Sequence, residues 1–306
     1  MFPGSPMKTI SQQVDRLVLF ALNWQIPDSF GDNQDASPTI EEVLAETRVN
    51  RQKTILYSLT APGEHPIWLS TSVGEILCHV RVKPAVTSHA PLLLYHHGFA
   101  EIPFTATWSR LIPKNEPFPA HSVCIQAPYH NSLLEPFNPG FSSVQHVYQM
   151  FAGSLRIMEL MQEQFEAEGA AFTMVSGLSW GGITSMLYEG LFQKTAAAIP
   201  MFSSPNLAQV LWDAAERYNR TLPVPRETVN DLFDFTPIYE RCEQERVFPI
   251  LGEDDLFFRY DAHAHLFPEE KLVTLPSAHV GAMRRANHQL RRRVLDIMEW
   301  AANNPR

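Results

Sequence analysis

The 306-residue sequence predicts an α/β fold: a mostly parallel central sheet with helices on both faces and a small helical insertion. Three observations support this. Six short apolar runs follow one another after Pro91. Longer segments with apolar residues at three- and four-residue spacing separate several of them. One run ends at a serine flanked by glycines, at 177–181, and a helical pattern begins directly after it.

In chain order, residues 1–52 read as an N-terminal helical extension packed on the body. Ile10, Val14, Leu17, Val18 and Ala21 share one helical stripe. A polar loop then leads into a short helix whose start is marked by Ser37, Pro38 and the acids Glu41 and Glu42. The core is expected over 53–204 and 247–306. "KTILYSLT" (53–60) reads as a strand. In "EILCHVRVK" (75–83), Ile76, Cys78, Val80 and Val82 alternate with more polar neighbours, the period of a half-buried strand. The six runs are "PLLLYHHG" (91–98), "SVCIQAP" (122–128), "FTMVSG" (172–177), "AAAIPMF" (196–202), "RVFPILG" (246–252) and "KLVTLP" (271–276). Apolar at consecutive positions, they read as strands buried on both faces. Helices are expected over 142–168, 180–194 and 282–302, the last with Met283, Ala286, Leu290, Val294, Ile297 and Ala301 on one stripe. Residues 205–246 carry two helical stretches separated by Pro223 and Pro225, and an insertion of this length reads as a lid or cap, with an ornamented helical crossover as the alternative.

Composition removes several function classes. Apolar residues make up 45%, charged residues 19%, and the net charge is −9. A nucleic-acid binder needs clustered positive charge to meet phosphates, so that partner is not expected. Cys78, Cys124 and Cys242 lie far apart without ligand spacing, which argues against a disulfide framework or a zinc site and fits a reducing compartment. The run from Leu17 to Leu22 is too short to span a membrane and weak as a signal peptide, coming after Asp15 and Arg16. The expectation is a cytoplasmic protein without stable membrane insertion, with homo-oligomerisation left open. His263 and His265 are expected at the surface and join no ligand motif.

The chemistry is concentrated around "VSGLSWGG" (175–182). A strand turning abruptly into a helix leaves no room for side chains beside the serine, and Gly177 and Gly181 meet that need. Serine alone is a poor nucleophile; it needs a base, and the base needs an orienting acid. "PILGEDDLF" (249–257) supplies an acidic turn after a strand, with Asp254 and Asp255 as candidates. "LPSAHVGAM" (275–283) supplies His279 after the next. Ser179, acid, histidine is one of several chain orders in which this constellation occurs.

Taken together, "HHGF", "GLSWGG", "GEDDLF" and "AHVG" resemble the α/β-hydrolase superfamily over roughly residues 53–302. The resemblance implies the α/β-hydrolase fold and an esterase- or lipase-like serine hydrolase. It implies Asp255, three residues after the glycine ending its strand, as the acid in preference to Asp254. It also implies an oxyanion hole built from the backbone N–H groups of Phe99 and Trp180, with no cofactor and no metal. His97, Tyr129, His130 and Trp212 are candidate substrate-binding residues. Aromatic residues near the expected mouth (Phe99, Phe104, Trp108, Trp180, Phe202, Trp212, Tyr218, Phe233, Phe235) favour a small-molecule ester, or thioester, with a mainly apolar acyl group. A serine peptidase or amidase of the same fold, and a non-catalytic binding protein, are the alternatives.

Overall fold

The structure, a computed structural model, describes residues 12–20, 37–130 and 138–306. Ile10, Ala21 and the stretch 25–36 lie outside the described residues.

Among the described residues, nine strands form one sheet: β1 (Arg48–Val49), β2 (Gly63–Thr71), β3 (Gly74–Lys83), β4 (Leu92–His96), β5 (His121–Ile125), β6 (Thr173–Leu178), β7 (Ala197–Met201), β8 (Ile250–Gly252) and β9 (Val273–Leu275). Their spatial order is β1-β2-β3-β5-β4-β6-β7-β8-β9. The β1–β2, β2–β3 and β3–β5 pairings are antiparallel, and every pairing from β5 to β9 is parallel. Because β4 through β9 all point one way, their C-terminal ends share one edge, and the loops after β4, β6, β8 and β9 gather there.

The continuous apolar runs are explained by two cores. Successive side chains on a strand point to opposite faces. Leu92, Leu94, Val123 and Val175 enter the core beneath the helices Val144–Ala167 and Trp180–Phe192. Leu93, Tyr95, Cys124 and Met174 enter the opposite core with Trp108, Leu290, Val294 and Ile297. Both faces are dry, so both need apolar residues. The expected terminal helix is present as two pieces, Ala282–Arg285 and Asn287–Asn303, joined at Ala286, with the whole apolar stripe buried. All three cysteines are buried free thiols.

Several expectations need correction. Residues 53–60 are not a strand: they form turns and a short 3-10 helix, Leu56–Ser58, with Tyr57 91% exposed. The strand of that region is β2, whose pattern is broken in the sequence by Pro66. The short N-terminal helix begins at Thr39, not Ser37. Thr39 and Glu42 form a reciprocal capping box ahead of Ile40–Glu46. Residues 12–20 are helical, but Leu17 is 70% exposed and Val14 40% exposed, while Asp15 and Leu19 face inward. His263 is buried, bonded through Nδ1 to the Ser204 hydroxyl at 2.9 Å, whereas His265 is exposed.

Residues 205–246 form the helices Leu207–Arg217, Arg226–Phe233 and Thr236–Tyr239. No helix among the described residues is long and apolar enough to cross a membrane.

Candidate active site

The turn at Ser179 shows why glycine is required on either side. Ser179 sits between β6 and the helix Trp180–Phe192 with φ 56° and ψ −116°, a conformation L-residues rarely adopt. Its N–H donates to the Met201 carbonyl at 2.8 Å, which ties the strained residue to β7. A Cβ on Gly177 would sit 2.3 Å from the Gly181 backbone, and one on Gly181 would sit 2.1 Å from the His96 carbonyl oxygen. Gly182 is equally confined, by Ser203 at 2.4 Å.

The loops after β8 and β9 deliver two more side chains to this turn. His279 Nε2 lies 2.8 Å from Ser179 Oγ, and His279 Nδ1 lies 2.8 Å from Asp255 Oδ2. The other carboxylate oxygen of Asp255 accepts the N–H groups of Phe257 at 2.7 Å and Phe258 at 3.0 Å. Both Asp255 oxygens are therefore engaged and the carboxylate cannot rotate away. Asp254 is not bonded to His279; its N–H donates to the Ser277 carbonyl. The rings of Phe257 and Phe258 pack on the imidazole with centroids 4.3 and 5.7 Å away. Burial is the largest influence on His279 and disfavours its charged form. The Asp255 charge, the Asp255 hydrogen bond and the Asp15 charge outweigh it together, so its pKa is raised from 6.5.

Ser179 and His279 open into a cavity of about 350 Å³. Its walls are mainly apolar: Phe99, Phe141, Val147, Leu178, Trp180 and Ile183 from the core, and Leu207, Val210, Leu211 and Phe233 from the 205–246 region. Val18, Phe257, Phe258 and Val280 add to them, and Gly98, Ala100, Glu101 and Thr107 line the side of the loop after β4. Trp180 is held flat against Phe151, with ring centroids 4.0 Å apart and planes 6° apart. Of the aromatics named from the sequence, Phe99, Trp180 and Phe233 line the cavity. Phe104, Trp108 and Phe202 instead pack in the opposite core.

His97, Tyr129, His130 and Trp212 do not line the cavity, contrary to expectation. Two of them, His97 and His130, brace the loop after β4. Fully buried, His97 is bonded to the Gly98 carbonyl at 2.6 Å and accepts the Ala127 N–H at 2.9 Å. His130 is bonded to the Pro128 carbonyl through Nδ1 and accepts the Ala100 N–H through Nε2. Burial pushes His97 well below its ordinary pKa and His130 down to about 4, so both stay neutral and can accept. Tyr129 donates to Gln149, and Trp212 lies beneath the Arg226 guanidinium.

Two carboxylates escaped the sequence reading. Glu101 lines the cavity and holds the loop after β4 by accepting from the N–H of Gly98 at 3.2 Å and from the N–H and hydroxyl of Thr107. Burial pushes its carboxyl up to about 7, against the pull of those donors. Its signal was a single charge inside "GFAEIPF", an otherwise apolar loop. Asp15 is fully buried on the helix 12–20, beside the histidine loop. No group of three metal-ligating side chains occurs among the described residues.

A serine at a tight β–α elbow, with an aspartate and a histidine on later loops at the same sheet edge, matches the α/β-hydrolase arrangement. Solved structures agree on the fold. The hyperthermophilic esterase from the archaeon Pyrobaculum calidifontis superposes with a TM-score of 0.51 at 16% identity, over 98% of this chain and 99% of that one. The acetyl xylan esterase from Paenibacillus sp. R4 gives 0.51 at 13% identity, over 87% and 98%. The acylaminoacyl peptidase of Pyrococcus horikoshii gives 0.50 at 12% identity, over 77% of this chain and 45% of the peptidase. No protein-family model and no curated protein sequence matches the chain. The chain has the α/β-hydrolase fold; identities this low speak to the fold alone.

Proposed function

We propose that this protein is a serine hydrolase that cleaves a carboxylic ester or thioester with a mainly apolar acyl group. One observation carries the reading: the continuous chain Ser179 Oγ, His279, Asp255, each link 2.8 Å, opens into an apolar cavity.

The bonding pattern assigns the protons. An Asp255 carboxylate requires N–H at His279 Nδ1, which leaves Nε2 to accept from the serine hydroxyl. In the proposed first half-reaction, His279 takes the Ser179 proton as Oγ bonds to the acyl carbon. The oxyanion is stabilised by the main-chain N–H groups of Trp180 and Phe99. Trp180 opens its helix, in the turn whose N–H donors have no acceptor within the helix. Phe99 lies on the loop after β4, where a Cβ on Gly98 would stand 3.8 Å from Ser179 Cβ. His279 then protonates the departing alkoxide or thiolate as the bond to the acyl carbon breaks. In the second half-reaction, water gives a proton to His279 and adds to the acyl-enzyme. The acid leaves and the proton returns to Ser179 Oγ. Asp255 orients the imidazole and stabilises its charged form throughout.

A fluorophosphonate probe tests this. It should label Ser179 in the wild type and fail in Ser179→Ala, and that variant should lose roughly 10⁶-fold in kcat on nitrophenyl esters with its melting point retained. Folded wild-type protein that takes no label at Ser179 would sink the proposal. Paired series of esters, thioesters and amides of increasing acyl length would then identify the substrate class.

A further inference from the structure

The most unusual group outside the Ser-His-Asp chain is Asp15. It is fully buried on the helix 12–20, and a buried carboxylate is costly unless several donors meet it. Here three main-chain donors do. Asp15 Oδ2 accepts the N–H of His279 at 3.0 Å and of Leu256 at 3.3 Å, and Oδ1 accepts the N–H of Val280 at 2.9 Å. One carboxylate thus clamps the acid loop and the histidine loop together, from a position 264 residues before His279. The same helix buries Leu19 in the main core and lends Val18 to the cavity wall, and Tyr218 donates to its Arg16 carbonyl.

We propose that Asp15 is a positioning residue for His279, so that the active site is complete only when the helix 12–20 is seated. This rests on the hydrolase reading for its activity arm, but not for its geometry. By gripping the main chain of residue 279, Asp15 fixes where the imidazole can swing, while Asp255 fixes how the ring turns.

The charged and titratable groups facing His279 are Asp255 from the loop after β8, Asp15 from the N-terminal helix and Ser179 from the elbow; His263 feels Asp255 from farther out. Asp15 adds negative charge, which supports the raised proton affinity of His279. Burial in turn raises the carboxyl of Asp15, with His279 the chief opposing influence.

The test is Asp15→Asn in the full chain, with Leu17→Ala as a control on the same helix. Leu17 is exposed and its loss should change nothing. Asp15→Asn keeps the size and removes the charge and one acceptor. It should lower kcat/KM on a nitrophenyl ester by up to about 10²-fold, the cost of misplacing a catalytic group by an ångström. The acid limb of the pH profile should move to lower pH. Asp15→Glu, which keeps the charge but displaces it, should lower kcat/KM while moving that limb less. NMR titration of the His279 imidazole in the Ser179→Ala background reads the same contact without turnover, and its pKa should fall on Asp15→Asn. A protein without esterase activity would overturn the hydrolase reading yet still answer the NMR arm. Should Asp15→Asn unfold, Asp15→Glu carries the activity arm. Wild-type kcat/KM together with an unmoved His279 titration in the substituted protein would overturn the role of Asp15.

Discussion

Gly181→Ala puts the elbow geometry to its sharpest test. The new Cβ would lie 2.1 Å from the His96 carbonyl oxygen, 2.6 Å from its carbon and 2.8 Å from the His97 oxygen. Real Cβ atoms essentially never come closer than 3.0 Å, so the first contact alone demands a shift of 0.9 Å (3.0 − 2.1). The opposing atoms are backbone of β4 and its exit loop, and cannot rotate aside as a side chain would. The helix start must move away from β4, carrying Ser179 with it. Overpacking of this kind costs about 1–3 kcal/mol, or roughly 2–6 °C of melting temperature at about 2 °C per kcal/mol. A displacement of nearly 1 Å at the nucleophile should cost about 10²-fold in kcat/KM. Gly98→Ala is the matched control. Its Cβ would meet nothing nearer than 3.5 Å, so the protein should keep its melting temperature even if the methyl group crowds the substrate. The assay is thermal unfolding and ester hydrolysis on both proteins. Equal melting temperatures for the two variants, or wild-type kcat/KM in Gly181→Ala, would refute the steric reasoning.

Asp255→Asn should lower kcat by about 10⁴-fold, as loss of the orienting charge does in a comparable triad, and Asp254→Asn should leave it nearly unchanged; equal losses in steady-state assays would contradict the assignment. The pH profile of kcat/KM should show an acid limb above 6.5, because in the proposed mechanism only neutral His279 takes the serine proton and its folded pKa is raised. The same shift has a defined sign for stability: the contribution of protonated His279 is fully present below its unfolded pKa and disappears as pH rises through the raised folded value, which denaturant midpoints with and without His279 would reveal.

Much of the fold was legible in the sequence because burial on both faces leaves an unmistakable mark. β4 to β7 have no exposed residue, so most of their positions are apolar, and the polar ones, such as His96 and Ser176, are hydrogen-bonded inside. β2 was missed because it has a solvated side and carries Pro66, while Ile55, Leu56 and Tyr57 mimicked a strand although Ile55 and Tyr57 are exposed. His97 and His130 were placed at the site because they stand beside it in the chain. Their rings turn inward to hold the loop after β4, a direction no local pattern encodes.

The sequence by itself determined that a parallel sheet would form, that a serine would stand at a strand-to-helix turn too tight for side chains, and that an acid and a histidine would follow at later strand ends. Those features depend on local sterics and on which faces are dry, and both are written in short stretches of chain. Only the tertiary structure shows that Asp255, and not Asp254, meets His279, because neighbouring residues on a turn point in different directions. It alone also placed Asp15. In isolation that residue is a charge on a short helix, apt for solvent. Its burial becomes tolerable only when the N–H groups of Leu256, His279 and Val280, more than 240 residues away, converge on it.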